Sequence, residues 1–117
     1  MTDRPRGVDQ LVPLKPKVLH ILLALADGPR HGYSIMQEVA ARSEGQVRIW
    51  PAAMYGALRE LEEQDLIVES DKRPSEDDER RRYFGLTPLG KRVLSAEVRR
   101  LEAIVDHARA SRALRKA

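Results

Sequence analysis

The residues with the clearest chemical potential form one run, in which four acidic side chains at 76–79 are followed directly by Arg80, Arg81 and Arg82. Carboxylates at this density can attract a divalent cation, and each guanidinium can pair with a phosphate. The acidic run lacks the spacing of an EF-hand loop and has cations beside it, so a metal site is not favoured. Two interpretations of the arginines remain open, a polyanionic partner or an exposed ion-pair cluster.

No other part of the chain indicates catalysis. His20, His31 and His107 are scattered without metal-ligand spacing, and there is no Gly-x-Ser-x-Gly elbow or glycine-rich phosphate loop. The absence of cysteine excludes a disulfide framework and a thiolate nucleophile. We therefore predict a protein that is not an enzyme and needs no cofactor. His20 is expected in the core, and His107 on the surface or at a subunit contact.

Charge is distributed unevenly over a chain of 117 residues, a length typical of one domain. Residues 60–79 hold ten Asp/Glu against two Lys/Arg, and residues 80–117 hold eleven Lys/Arg against three Asp/Glu, although the net charge is only +3. A basic C-terminal third suggests a polyanionic partner, but charge alone is equally compatible with two solvated faces. The longest apolar run, at 21–26, is too short to span a membrane, so we expect a cytoplasmic protein.

Three helices are predicted in the first half of the chain. The first starts at Pro16 and is stopped by residues 27–29, and the second covers Gly32 to Arg42. The third starts at Pro51 after an extended stretch, VRIW. Its apolar residues recur at spacings of four and three, which places Tyr55, Arg59 and Glu62 on an outward side and buries Met54, Leu58 and Leu61.

A β-hairpin and a long helix follow. Strands are predicted at 66–70 and 81–86 around a polar loop, with Phe84 and Leu86 on one face and Arg81 and Tyr83 on the other. From Pro88 a helix carries an apolar seam about two heptads long, expected to pack on a second copy of the chain. The seam consists of Leu94, Val98, Leu101, Val105 and Ala108.

Three helices followed by a hairpin are the order of a winged helix-turn-helix, a mainly α fold with a small β-hairpin. The expected organisation is an N-terminal tail at 1–14, a winged-helix domain at 15–87, and a dimerisation helix with a basic tail at 88–117. In this fold the third helix enters the DNA major groove, and the hairpin tip, the wing, reaches the neighbouring backbone. The arginine run would then pair with phosphates, and the Tyr83 hydroxyl would lie beside it.

Three stretches, LLALADGPRHGYSIMQEV, MYGALRELEEQDLI and RRRYFGLTPLGKRVL, closely resemble the PadR family of bacterial transcriptional regulators over residues 18–95. The resemblance implies a winged-helix homodimer that represses transcription at an inverted-repeat operator on double-stranded DNA. A single helix after residue 88 resembles the compact branch of the family. The same fold used as a protein-interaction adaptor, with the acidic block as its contact surface, is the alternative.

The resemblance also implies which residues bind DNA. Tyr55 matches the family's recognition-helix tyrosine, and residues 31–33 match its His-Gly-Tyr signature. This chain has Ala-Ala-Met before Tyr55 where the family often has Gly-Thr-Leu, so few side chains there can read bases. The expected DNA-binding residues are Tyr33, Ser34, Ala53, Tyr55, Gly56, Arg59, Lys72, Arg80, Arg81, Arg82 and Tyr83.

A small-molecule effector is a further expectation from the resemblance, because some compact members resemble multidrug sensors with an aromatic residue on the long helix. This chain has no aromatic residue after Phe84, and Leu101 is expected in that place. Trp50, the only tryptophan, has two open interpretations: a lid on the core, or a surface on which a ligand stacks. Trp50 and Leu101 are therefore the candidate effector-binding residues.

Overall fold

A computed structural model describes residues 7–72 and 81–115. Within these ranges the chain forms the predicted helices and hairpin strands in the predicted order, together with a short helix at 8–11 and a short strand at 30–31 that were not predicted. The elements are α1 (Val8–Leu11), α2 (Pro16–Ala24), β1 (Arg30–His31), α3 (Gly32–Arg42), α4 (Pro51–Glu63), β2 (Ile67–Ser70), β3 (Tyr83–Leu86) and α5 (Pro88–Ala110).

The strands form one antiparallel sheet in the order β1, β3, β2. The predicted hairpin is confirmed, since β2 and β3 pair with Glu69 opposite Phe84. Strand β1 was not predicted, because two residues are too few to show an alternating pattern. It pairs Arg30 with Phe84 and His31 with Tyr83, and so makes β3 the central strand.

The core lies between α2, α3, α4, the sheet and the first turns of α5. The predicted stripe of α4 is confirmed, because Met54, Leu58 and Leu61 are each at most 2% exposed. The second predicted helix has the observed bounds, and its Ile35 and Val39 are buried. The same burial fixes which face of α4 points outward.

Helix α5 starts at a junction that joins three elements. Thr87 caps the helix, since its Oγ accepts the Gly90 N–H at 2.8 Å and donates to the Asp65 carbonyl at 2.6 Å. A Cβ placed on Gly90 would lie 2.1 Å from the Leu66 carbonyl oxygen. Only glycine allows α5 to approach the start of β2 this closely.

The two halves of α5 have different surroundings. Gly90, Val93 and Leu94 are buried in the chain's own core. Leu94 was expected in a seam between subunits, and this expectation is wrong because α5 still lies against the body of the domain at that turn. Beyond residue 97 the apolar residues of α5 are exposed or half-buried.

A buried carboxylate marks the boundary between these halves. Glu97 is only 1% exposed and forms a bidentate pair with Arg100, with both N–O distances 2.8 Å. Its pairing with Arg100 lowers the pKa of Glu97 below its ordinary value near 4.5, and a hydrogen bond from the Leu14 backbone lowers it further. Glu97 therefore ties α5 to the segment between α1 and α2. Helix α1, which lies in the expected N-terminal tail, packs on α5.

We predict that Gly90→Ala destabilises the protein by about 2 kcal/mol or more, because the new methyl group would overlap a backbone oxygen that cannot rotate away. Urea unfolding would measure the loss. Gly56→Ala is the matched control, since its Cβ would have no atom within 4 Å in the middle of α4. We expect the control to stabilise by about 0.5–1 kcal/mol. Equal effects of the two substitutions would contradict the junction.

Stability should depend on pH through Glu97. Because its pKa is lowered in the folded state, the contribution is present above the unfolded-state carboxyl pKa and is lost as pH falls through the folded-state pKa. Glu97→Gln should therefore unfold more easily than wild type at pH 7, and the difference should shrink at acid pH. Urea unfolding over a pH series would measure this. Glu63→Gln, at an exposed position of α4, should show no such trend; a difference between Glu97→Gln and wild type that stays constant with pH would argue against the ion pair.

Candidate nucleic-acid interface

The outward face of α4 combines two long polar side chains with small residues. Tyr55 is 61% exposed, Arg59 is exposed, and Ala53 and Gly56 are exposed beside them. The Tyr55 ring lies over the start of α3, where its Cε1 atom is 3.4 Å from the position of a Cβ on Gly32. Gly32 thus leaves room for the ring, which explains part of the His-Gly-Tyr sequence.

The start of α3 is held by hydrogen bonds from residues just before it. His31 caps the helix, because its Nδ1 accepts the Ser34 N–H at 3.2 Å. Arg30 donates to the Ala24 carbonyl at 2.8 Å and to Ser34 Oγ at 2.9 Å. The Ser34 hydroxyl is therefore half-buried and occupied within the chain, whereas Tyr33 is 59% exposed at the surface.

The turn between α3 and α4 fixes the angle of α4. Ser43 Oγ accepts the Val47 N–H at 2.9 Å and donates to the Val39 carbonyl at 2.8 Å, and Gly45 takes a φ of +81°. Residues 48–50 lie outside the helices and strands, and the backbone of Trp50 is extended, with φ −79° and ψ 157°. Burial alternates along residues 47–50, so Ile49 is buried and Trp50 is exposed.

Trp50 is consequently 71% exposed, and the interpretation of Trp50 as a core lid is wrong. Ile49 takes the inward position of the extended stretch instead. Leu101, the other candidate effector residue, lines a shallow depression of about 460 Å³ together with Val98 and Val105. Trp50 is not among the residues that line this depression.

The wing strand β3 presents its residues differently from the predicted alternation. Arg81 is exposed, and its Nη1 lies 3.3 Å from His31 Nε2. Tyr83 was expected on the outward face beside Arg81, but it is only 6% exposed. Its ring packs edge-on against His31 with centroids 5.2 Å apart. Because β3 is the central strand, Tyr83 is flanked by both neighbouring strands, which the two-strand prediction did not include.

Arg82 is engaged by acids of two other elements. It donates to Glu69 Oε1 from Nε at 3.2 Å and from Nη2 at 3.0 Å, and Nη2 lies 3.5 Å from Glu62. The Glu69 hydrogen bond raises the pKa of the Arg82 guanidinium above its ordinary value. The guanidinium also lies over the Phe84 ring, 5.0 Å from its centroid. The predicted partners of the arginines at 76–79, and Arg80 itself, lie outside the described residues.

A groove of about 550 Å³ separates α4 from β3 and the start of α3. Lys72, exposed at the end of the hairpin, is not among its lining residues. Within residues 7–72 and 81–115, no group of three or more His, Asp or Glu could hold a metal ion, and no helix could cross a membrane. The groove is lined by His31, Gly32, Tyr33, Tyr55, Leu58, Arg59, Glu62, Arg81, Arg82 and Phe84.

This arrangement is better suited to binding a polyanion than to catalysing a reaction. Arg59 and Arg81 offer guanidinium groups, and Tyr33 and Tyr55 offer hydroxyls, on the same groove. His20 is half-buried on α2 and His107 is exposed on α5, and neither lines the groove. Arginine and tyrosine side chains around a helix and a wing can bind phosphates from both sides.

The outer half of α5 forms an exposed apolar stripe. Val98 is 37% exposed and Val105 is 46% exposed, while Leu101 and Ala108 are half-buried. Ile104, which the heptad pattern did not include, is 50% exposed beside them. We name these five residues, Val98, Leu101, Ile104, Val105 and Ala108, the α5 stripe.

The sequence profile of the Transcriptional regulator PadR-like family matches residues 21–96. The chain belongs to this family. Its relative in transposon TN4556 of Streptomyces fradiae, an uncharacterized 37.1 kDa protein, is 43% identical over 77 residues, which are 66% of this chain and 20% of that protein. The transcriptional regulator Rv3488 of Mycobacterium tuberculosis is 35% identical over 86 residues, 74% of this chain and 76% of its own length.

Among solved structures, the fold is similar to that of Bacillus subtilis PadR in complex with operator DNA, with a TM-score of 0.61 and 21% identity. The match covers 74% of this chain and 48% of that one. The predicted winged-helix fold is thus confirmed, and so is the prediction of a transcriptional regulator rather than an enzyme. In this winged-helix fold, α4 corresponds to the third helix of the predicted winged helix-turn-helix, and the β2–β3 hairpin is the wing.

Sequence reasoning missed several residues that shape the interface. Glu62 was placed on the outward side of α4, but its contact with Arg82 was not foreseen, and Glu69 was not singled out. The signal was present in part, because opposite charges at 69 and 82 are compatible with a shared sheet face. Identifying the pair requires the strand register, which a long polar loop does not fix. Arg30 was also missed, since its role depends on the Ala24 carbonyl at the end of another helix.

Proposed function

We propose that this PadR-like chain binds double-stranded DNA as a homodimer and represses transcription at an inverted-repeat operator. The groove between the recognition helix and the wing carries the proposal, because it gathers exposed Tyr55, Arg59 and Arg81 on one face. Tyr33 extends this face at the start of α3. Bacillus subtilis PadR, which shares this fold, was solved in complex with operator DNA, and this supports the proposal that the present chain binds DNA.

The recognition helix is expected to contribute few base contacts. Ala53 and Gly56 have no hydrogen-bonding side-chain atoms, so Tyr55 and Arg59 carry most of the reading capacity of the outward face. Because Ala53 and Gly56 are small, the backbone of α4 could approach the DNA major groove closely. Phosphate contacts from Arg81 and the wing would then supply most of the affinity and set the register of the helix.

The dimer part of the proposal is supported by the α5 stripe. Apolar side chains at 98, 101, 104 and 105 continue along a helix that has left the domain core. A second copy related by two-fold symmetry would cover this stripe with its own. The symmetric dimer would present two recognition helices, as an inverted repeat requires. A small-molecule effector, if one acts at Leu101, would bind at this same face.

Selection of operators from a random duplex pool tests the DNA-binding proposal. We expect an enriched inverted repeat, and binding to it that weakens steeply as salt is raised. Tyr55→Ala should lower affinity for the selected operator more than affinity for random duplex, because a base-proximal contact is lost while most phosphate contacts remain. Circular dichroism would confirm that the variant is folded. Absence of salt-dependent binding to any duplex would contradict the proposal and favour a protein-interaction adaptor.

We predict that Leu101→Asp disrupts the dimer, because it would bury two like charges at the centre of the α5 stripe. An uncompensated buried carboxylate costs several kcal/mol. Sedimentation should show monomer at micromolar concentration, with helix content kept and operator affinity reduced toward the non-specific level. Ala103→Asp, at an exposed position on the opposite side of α5, is the matched control and should remain dimeric. A dimeric Leu101→Asp variant would place the subunit contact elsewhere.

A further inference from the structure

Arg82 lies at the meeting point of the wing and the recognition helix. It directly precedes β3, Glu69 is on β2, and Glu62 is on α4. We propose that Arg82 is a positioning residue, which fastens the wing to the recognition helix through these two acids, and not a phosphate ligand. We name the three residues the Arg82 latch. This inference rests on the proposed DNA-binding function and concerns how its two contact surfaces are held in register.

The geometry fixes the Arg82 side chain from several directions. Two of its nitrogens converge on one carboxylate oxygen of Glu69, at 3.2 and 3.0 Å. The same Nη2 that donates at 3.0 Å lies 3.5 Å from Glu62 Oε2 on the helix. Below it, the guanidinium plane rests over Phe84, which is 3% exposed and belongs to the core. A guanidinium held in this way connects β2 and α4 to the packed core at Phe84.

Electrostatics disfavours Arg82 as a phosphate ligand in this state. One guanidinium between two carboxylates leaves a local charge of −1, which repels the DNA backbone. Arg82 would have to leave both acids to reach a phosphate. The Nη1 atom of Arg81, the adjacent arginine, lies 3.3 Å from His31 Nε2.

The Arg82 latch is better suited to orienting the wing relative to the recognition helix than to stabilising the folded chain. All three side chains are partly exposed, with 58% exposure for Arg82, 47% for Glu69 and 32% for Glu62. Ion pairs of this exposure contribute little to folding. Binding surfaces, by contrast, lose affinity when their elements shift by fractions of an ångström. The recognition helix and the wing must meet one duplex at the same time, so their relative position decides how many contacts form.

Neutralising single members of the latch distinguishes positioning from phosphate contact. Arg82→Gln, Glu69→Gln and Glu62→Gln would each be measured against the selected operator and against random duplex over a range of salt concentrations. The latch predicts that each variant loses about fivefold in the ratio of operator to random affinity, equivalent to about 1 kcal/mol. It further predicts that Arg82→Gln keeps the wild-type salt slope, because no phosphate contact is removed.

Two controls calibrate the measurement. Arg81→Ala should reduce the salt slope by about one unit and lower affinity for both duplexes equally, as expected for a phosphate ligand. Glu63→Gln removes an acid from α4, the helix that carries Glu62. Within the described residues, Glu63 has no ion-pair partner. It corrects for the general gain in attraction to DNA when a negative charge is lost, and its operator-to-random ratio should equal that of wild type.

The double variant Arg82→Gln with Glu69→Gln completes the test. If the residues act through one another, the double variant should be no worse than either single variant. The inference is overturned if Arg82→Gln reduces the salt slope by about one unit, or if Glu69→Gln raises the operator-to-random ratio by freeing Arg82 for a phosphate. Unchanged ratios in all three single variants would also overturn it. Failure of the wild-type chain to bind any duplex would instead refute the proposed function, and the latch with it.

Discussion

The contact between the first turn of α5 and the start of β2 is the constraint on which the rest of the structure depends. Gly90 lies against the Leu66 carbonyl, and Thr87 bonds both to the Gly90 N–H and to the carbonyl of Asp65. Asp65 and Leu66 come just after the end of α4, so one junction holds the end of α4, the β2–β3 hairpin and α5 together. It explains in physical terms why the chain has Leu-Thr-Pro-Leu-Gly at this place: threonine caps, proline starts the helix, and glycine permits the close approach.

The interface built on this junction is less basic than the charge of the C-terminal third suggests. Of the two described wing arginines, Arg82 is neutralised by Glu69 and Glu62, and Arg81 lies against the His31 ring. Much of the remaining positive charge of that third lies on α5 and beyond it. On the proposed contact surface, tyrosines therefore lie beside Arg59 and Arg81. A surface of this kind would give moderate non-specific attraction to DNA, and its selectivity would depend on how accurately its few polar groups are placed.

The structural features that could be predicted from the sequence are those that local residue patterns determine. Helix bounds at Gly32 and Arg42, the buried stripe of α4 and the hairpin strands follow from periodicity and from proline or glycine punctuation. The errors concern features that depend on tertiary neighbours. Tyr83 is buried because a third strand, too short to recognise, flanks β3. Leu94 is buried because α5 is still within the core at that turn, and Trp50 is exposed because Ile49 takes the inward position. Arg82 could not be assigned without the register between β2 and β3.

Helix α5 connects these local features to the proposed assembly. Its inner half is fixed by Gly90, Val93 and the buried Glu97, which also reaches the segment before α2 through Leu14. Its outer half carries the α5 stripe. Because a helix of 23 residues is stiff and about 34 Å long, a second copy packed on the outer half would set the position of the inner half, and hence of the recognition helix. The Arg82 latch would then fix the wing relative to that helix. In this view the spacing between half-sites is set by α5, whereas the fit within each half-site is set by the ion pairs around Arg82.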